Sequence, residues 1–233
     1  MTFKYNKGYY FLILLFLGNT VFAQTTKEDP VDWQGWYGAS LDADLPNKWA
    51  ASLEYQARYF NNLQTYNGSY ISLGGSKKVA EYLKILGQYR ISFVQNGTYQ
   101  RFTIGAEAST KINAFELSGR ALLQNSVQDF DDNTKATDQS TSWRVRAQTK
   151  YRISKGLSAY ASVEPIMQFG GRHFVDNLRN TVGLKAKIAK NTKLDVYYIL
   201  RADYAKKYNR TFNIIGVDFN YTLKFKNQKA NSK

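Results

Sequence analysis

The chain of 233 residues contains no cysteine, one histidine and three prolines. Missing thiols exclude disulfides, thiol catalysis and cysteine-held metal, and one imidazole cannot build a multi-histidine centre. Three prolines are also few turn residues for a soluble sandwich of many short strands. Long apolar runs are equally scarce. Beyond the N-terminus no stretch approaches the ~18 apolar residues that a spanning helix requires, so helices cannot hold the exported chain in a membrane. A net charge of +14 would ordinarily suggest nucleic acid or an anionic surface as partner. Here no Lys/Arg run and no nucleic-acid motif accompanies it, and nucleic acid is not expected.

The N-terminus carries the features of an export signal. Lys4 and Lys7 precede the run Tyr9-Tyr10-Phe11-Leu12-Ile13-Leu14-Leu15-Phe16-Leu17, which has the length of a signal core and is too short to cross a bilayer. Val21 and Ala23 then stand at −3 and −1 of a cut before Gln24. The expected organisation is a signal peptide over 1–23, an N-terminal segment over 24–34, a β-barrel over 35–226 and a tail over 227–233. The 24–34 segment alternates poorly and is either an irregular first strand or a piece of chain inside the lumen.

From Trp36 onward side chains alternate with period two. Trp49, Ala51, Leu53, Tyr55, Ala57 and Tyr59 share one face, and Ala50, Ser52, Glu54, Gln56 and Arg58 share the other. Trp143, Val145, Ala147, Tyr151 and Ile153 oppose Arg144, Arg146, Gln148, Lys150 and Arg152 in the same way. Comparable segments lie at 36–45, 67–76, 82–94, 100–110, 115–126, 157–169, 178–188, 192–203 and 211–225. Strands of soluble proteins average ~5–6 residues, whereas tilted membrane strands need ~9–11, and nearly all these segments are of the longer kind. A mean hydropathy of −0.48 with 18 tyrosines agrees with strands polar on one face and apolar on the other.

The pattern predicts an all-β fold: a closed, antiparallel transmembrane β-barrel of a Gram-negative-type outer membrane. Short periplasmic turns carry Pro46-Asn47-Lys48, Lys77-Lys78, Lys111-Ile112-Asn113, Ser154-Lys155-Gly156 and Lys190-Asn191, and longer extracellular loops lie between them. Eleven segments are legible, but single-chain bacterial barrels have even numbers. Twelve strands, the first drawn from 24–34, is the favoured count, with ten as the fallback. Aromatics near segment ends, including Trp36, Trp49, Tyr82, Phe93, Trp143, Tyr151, Phe169 and Phe212, read as girdles at the two bilayer interfaces.

Several of these residues together resemble an uncharacterised exported β-barrel family known as domain of unknown function 2490. They are Trp36-Tyr37-Gly38, Trp49 with Glu54 and Arg58, and Gly87-Gln88-Tyr89-Arg90. Trp143-Arg144-Val145-Arg146, Glu164-Pro165, Tyr198 with Arg201, and Tyr221-Thr222-Leu223-Lys224-Phe225 complete the set. The resemblance implies a fold and a location for most of the mature chain. It implies no activity, so it supplies no functional residue.

If the apolar faces meet lipid, the lumen receives fifteen cationic and nine acidic side chains. The candidates expected to matter are Glu54, Arg58, Arg90, Arg101, Glu107, Glu116, Arg120, Arg144, Arg146, Glu164, Arg179 and Arg201. Two readings compete. A basic lumen lowers the barrier to anions, whereas a narrow barrel fills its interior with arginine–carboxylate networks that act as a polar core. In either case Glu54, Glu107, Glu116 and Glu164 should lie against cations, because an unpaired buried charge is costly.

His173 is the one candidate general base with an ordinary pKa near neutrality, but it sits in an expected loop and no serine lies between Ser162 and Ser232. Asp129-Phe130-Asp131-Asp132-Asn133 starts like a calcium loop, yet Thr134 occupies the place of the required glycine. No catalytic residue, metal or cofactor is therefore expected. The expected partners are outer-membrane lipid and lipopolysaccharide, the barrel-assembly machinery, and a small anionic solute. Two alternatives stay open: an outer-membrane enzyme acting on lipid or lipopolysaccharide, and a soluble secreted β-barrel binding a small apolar ligand, which would turn its apolar faces inward.

Overall fold

The computed structural model describes residues 31–94, 97–130, 138–170, 174–204 and 209–224. The expected signal peptide, His173, Asp131–Asn133, Phe225 and the C-terminal tail lie outside them. Eleven strands are formed: β1 (Val31–Asp44), β2 (Trp49–Phe60), β3 (Thr65–Lys78), β4 (Leu83–Val94), β5 (Gly97–Ile112) and β6 (Phe115–Phe130), followed by β7 (Asp138–Ser154), β8 (Leu157–Gln168), β9 (Asn177–Ala189), β10 (Thr192–Asp203) and β11 (Arg210–Lys224). Each strand pairs antiparallel with its neighbours in sequence, and β1 and β11 close the barrel. The shortest strands, at 12 residues, reach roughly 40 Å, or about 30 Å along the axis at a tilt near 40°. That covers the apolar band of an outer membrane, about 25 Å tall.

The expected count of twelve, or ten, is corrected to eleven. Of the expected N-terminal segment 24–34, residues 31–34 begin β1 rather than a separate strand, and 24–30 lie outside the described residues. With an odd number, the first and last strands run the same way, and β1 pairs with β11 in parallel from Val31↔Thr211 to Asp44↔Lys224. Closure requires that each backbone group find a partner and that inward residues meet inward residues; it does not require alternating direction. Across the seam Trp36 faces Gly216 and Gly38 faces Asp218, all on the lumen side, so a parallel ladder satisfies both demands.

The apolar faces point outward. Leu73 is 62% exposed, Phe102 55% and Ile104 50%, whereas Gln56 and Ser72, on the opposite faces of their strands, are 3% and 1% exposed. Such an outer surface suits hydrocarbon and is the reverse of a ligand-binding secreted barrel. Trp49, Tyr82, Phe93, Trp143, Tyr151 and Phe169 are exposed near strand ends. Trp36 and Phe212 are not. Trp36 is buried in the lumen with Tyr197, Ile199 and Ile214, and Phe212 packs against this cluster. Proximity to a strand end does not set the face; parity does, and both residues fall on the inward parity of their strands.

Several glycines differ by face, the crowded outward Gly35 excepted. A side chain at the outward Gly75 or Gly119 would meet nothing within 4 Å. At the inward Gly216 it would run into the Tyr197 ring, and at Gly183 it would come within 2.6 Å of the Tyr160 ring. Tyr197 is paired with Gly216 and Tyr160 with Gly183, so each ring lies over the bare backbone directly opposite, a device that pins strand register. Replacing Gly216 by Ala is expected to destabilise the barrel by about 1–3 kcal/mol through overpacking, while Gly75→Ala leaves it within ~0.5 kcal/mol. Urea midpoints of the two variants in detergent micelles check this.

Candidate functional site: a charged lumen in two parts

The turns β1–β2, β3–β4, β5–β6, β7–β8 and β9–β10 form one rim, and the connections between the remaining strand pairs form the other. At the turn rim the lumen is open. One cavity of about 680 Å³ is lined by Asp42, Asp44, Lys84, Glu107, Lys187, Lys193 and Lys224 among others. A second, of about 660 Å³, carries Lys111, Lys150, Arg152, Lys155, Lys185, Lys187 and Lys193 against the single carboxylate of Glu116. Lys187 and Lys193 line both, so the two cavities are sides of one basic mouth. Its charges come from the last inward positions of strands that end in lysine-bearing turns.

Toward the opposite rim the interior is filled. Gln34, Trp36, Gln56, Tyr70, Ser72, Thr103, Leu122, Gln124, Ser142 and Glu164 are all less than a tenth exposed. Arg58, Arg90, Arg101, Arg120, Arg144, Arg179 and Arg201 form a belt here. Three arginine pairs stand directly opposite each other on adjacent strands: Arg90↔Arg101, Arg120↔Arg146 and Arg179↔Arg201. Like charges so placed repel, and carboxylates relieve some of them. Glu164 takes Arg120 at 3.0 Å and Arg144 at 2.8 Å. Glu107 takes Lys84 at 2.9 Å and Arg146 at 3.4 Å. Arg201 reaches Asp203 at 2.9 Å.

Glu54 accepts a hydrogen bond of 2.6 Å from the Tyr70 hydroxyl, with Arg90 3.8 Å away. Glu116 pairs with Lys150 at 2.7 Å in the basic mouth. The lumen thus brings together Glu54, Arg58, Arg90, Arg101, Arg120, Arg144, Glu164, Arg179 and Arg201 in the belt. Glu107 and Arg146 link it to the mouth, while Glu116 stands apart from it.

Among the described residues Arg58, Arg101 and Arg179 have no carboxylate within ion-pair distance, although Glu164, which bonds Arg120 and Arg144, stands directly opposite Arg179. Their Nε atoms donate to neutral groups: Arg58 to Gln56 at 2.9 Å, Arg101 to the Ser126 hydroxyl at 3.2 Å and Arg179 to Asn177 at 3.1 Å. Aromatic rings supplement this. Arg58 lies 4.0 Å from the centre of the Trp36 ring and 4.9 Å from that of Tyr70, and Arg90 lies 3.6 Å from Tyr70. A cation over a ring gains about 0.5–2 kcal/mol, less than the several kcal/mol that each buried ion forfeits in hydration. The belt therefore keeps an uncompensated positive field.

Reading the residues by charge missed much of the neutral half of this lumen: Trp36, Tyr70, Gln124, Tyr160 and Tyr197, whereas Gln56 was legible on the polar face of its strand. Parity was the available signal, since Tyr197 shares a face with Asp195 and Arg201. Tyr160 donates to Asp195 at 3.1 Å, and Lys185 sits 3.1 Å from the same carboxylate.

A family model described as "Protein of unknown function (DUF2490)" matches residues 33–212. No curated protein matches the sequence. Among solved structures, a NanC porin in a rhombohedral crystal form is similar, with a TM-score of 0.50 at 12% identity over 78% of this chain and 94% of that one. OccK8 (OprE) of Pseudomonas aeruginosa gives a TM-score of 0.37 at 10% identity, over 71% of this chain and 57% of that one.

Glu164 is the carboxylate on which two belt arginines depend. Glu164→Gln is expected to lower stability by about 3–5 kcal/mol, because both guanidinium groups stay buried without their counter-charge. Denaturant unfolding in micelles measures the loss, and a change below ~1 kcal/mol would show that water already neutralises the pair.

Proposed function

The chain belongs to the DUF2490 family of proteins of unknown function, and from the charge of its lumen wall we propose that it is an outer-membrane β-barrel giving small anions a narrow path. The observation that carries this reading is the excess of lumen cations over carboxylates, continuous from the lysine-rich mouth to the arginine belt. Low-dielectric walls focus such a field, raising the local concentration of anions and repelling cations. The mouth collects solutes, and the belt, where side chains fill the cross-section, acts as the filter.

The outer surface supports the membrane location. Exposed leucine, isoleucine, valine and phenylalanine side chains encircle the barrel, and a patch of this extent on a soluble protein would be an aggregation hazard. The turn rim, with its short connections, is the periplasmic side in this reading, and the longer connections face outward. Lipid and lipopolysaccharide then contact the barrel wall, and the barrel-assembly machinery inserts it.

Because the chain has no native cysteine, single labels report location cleanly. A fluorophore on Val196→Cys is expected to be quenched by lipid-phase quenchers, and one on Gln56→Cys to be insensitive to them; the opposite pattern would remove the barrel from the membrane. In planar bilayers the purified protein is expected to conduct with a preference for chloride over potassium. Replacing Lys187 and Lys193 together by Glu should lower that preference severalfold by reversing charge on both sides of the mouth. An absence of any current would leave a purely structural barrel.

A further inference from the structure

The arginines without carboxylate partners are not scattered. Arg58 and Arg179 flank the same indole, 4.0 and 6.0 Å from the centre of the Trp36 ring. Arg58 and Arg90 flank Tyr70, and Arg90 is opposite Arg101 in the sheet. Arg101 lies in the field of Arg90, Arg144 and Arg58, and Arg179 in that of Arg144, Arg201 and Arg58; the one carboxylate beside Arg179 is Glu164, directly opposite it in the sheet and already bonded to Arg120 and Arg144. The strands that carry them, β2, β5 and β9, come from separate parts of the ring, so the three guanidinium groups enter the lumen from different walls.

An orphaned donor lies beside two of these arginines: the indole Nε1 of Trp36 is buried without a hydrogen-bond partner, as are the Nε atoms of Arg120, Arg144 and Arg201 in the belt. Buried donors of this kind are ordinarily satisfied, and here the missing acceptor would also bring the missing negative charge. Guanidinium groups present planar, two-pronged donors that match the oxygens of a carboxylate, phosphate or sulfate. One monovalent ion would leave two of the three charges unanswered, whereas a divalent oxyanion answers most of them and can span more than one arginine.

We propose that Arg58, Arg101 and Arg179 form a binding site for one small divalent oxyanion, with the Trp36 indole beside it. The site rests on the reading of the lumen as an anion path and places the tightest step of that path in the belt. Its occupant supplies the counter-charge that the protein omits, and an entering anion displaces the one already bound.

The test uses the full mature barrel in detergent micelles and needs no current. Succinate and, separately, sulfate are titrated calorimetrically against chloride buffer of matched ionic strength. Saturable binding of one anion per barrel is expected, at least tenfold weaker in Arg101→Gln and in Arg179→Gln, and weaker in Arg58→Lys, which keeps charge but loses the fork. Heat-modifiable migration on gels verifies folding, and either glutamine variant suffices if the other fails to fold. Binding of succinate alone assigns the site to organic dicarboxylates, and binding of both assigns it to divalent oxyanions in general. No saturable heat with either probe, or equal affinities in wild type and variants, overturns the site. A barrel that binds but carries no current keeps the site and loses the channel, and one that conducts anions without saturable binding keeps the channel and loses the site.

Discussion

A strand edge left unpaired carries backbone donors and acceptors without partners, and the closed ring of this barrel answers that constraint. Every strand must be paired on both edges, so the sheet has to close. Closure turns one face of each strand outward and the other toward a confined interior, and alternation along the strand then sorts the side chains. The same demand explains the seam. A parallel ladder between the first and last strands serves as well as an antiparallel one, because it pairs the backbone and keeps Trp36 and Gly38 on the side of Gly216 and Asp218.

Confinement sets the energetics of the interior. A ring of eleven strands is wider than the eight whose lumen side chains just fill, and narrower than the sixteen or more that leave an aqueous channel. The loop-side half resolves this intermediate width by filling with long arginines, tyrosines and a tryptophan, while the turn-side half, lined by lysines that extend toward water, stays open. Glu164 between Arg120 and Arg144, and Glu107 between Lys84 and Arg146, are the crosslinks of a polar core. The arginines left over convert that core into an electrostatic device. A filled interior is therefore compatible with the anion path proposed above: the polar core fixes the shape of the lumen, and the surplus of arginine gives it a positive charge.

Similarity to a NanC porin at 12% identity agrees with this architecture and speaks to the fold alone. Within that fold, the interior of this chain is set by which inward positions carry arginine and which carry glycine. The glycines opposite Tyr160 and Tyr197 admit rings that would otherwise crowd the wall, and those rings in turn place hydroxyls beside Asp195 and Gln56.

The sequence by itself determined the strands, their faces and the sign of the lumen, because period-two alternation and segment length are local properties that a long two-faced strand cannot hide. All eleven strands were legible as segments, and the acidic residues Glu54, Glu107, Glu116 and Glu164 were identifiable as inward from their parity with neighbouring polar side chains. Only the tertiary structure decided how the ring closes, since the parity of the strand count depends on whether Val31 can reach Thr211, nearly the whole chain away. It also decided which charges are neutralised. Arg120 and Arg58 look alike along the chain, yet one meets Glu164 from two strands away and the other meets Trp36 and Tyr70, because a partner across a barrel is set by curvature and register that no stretch of sequence contains.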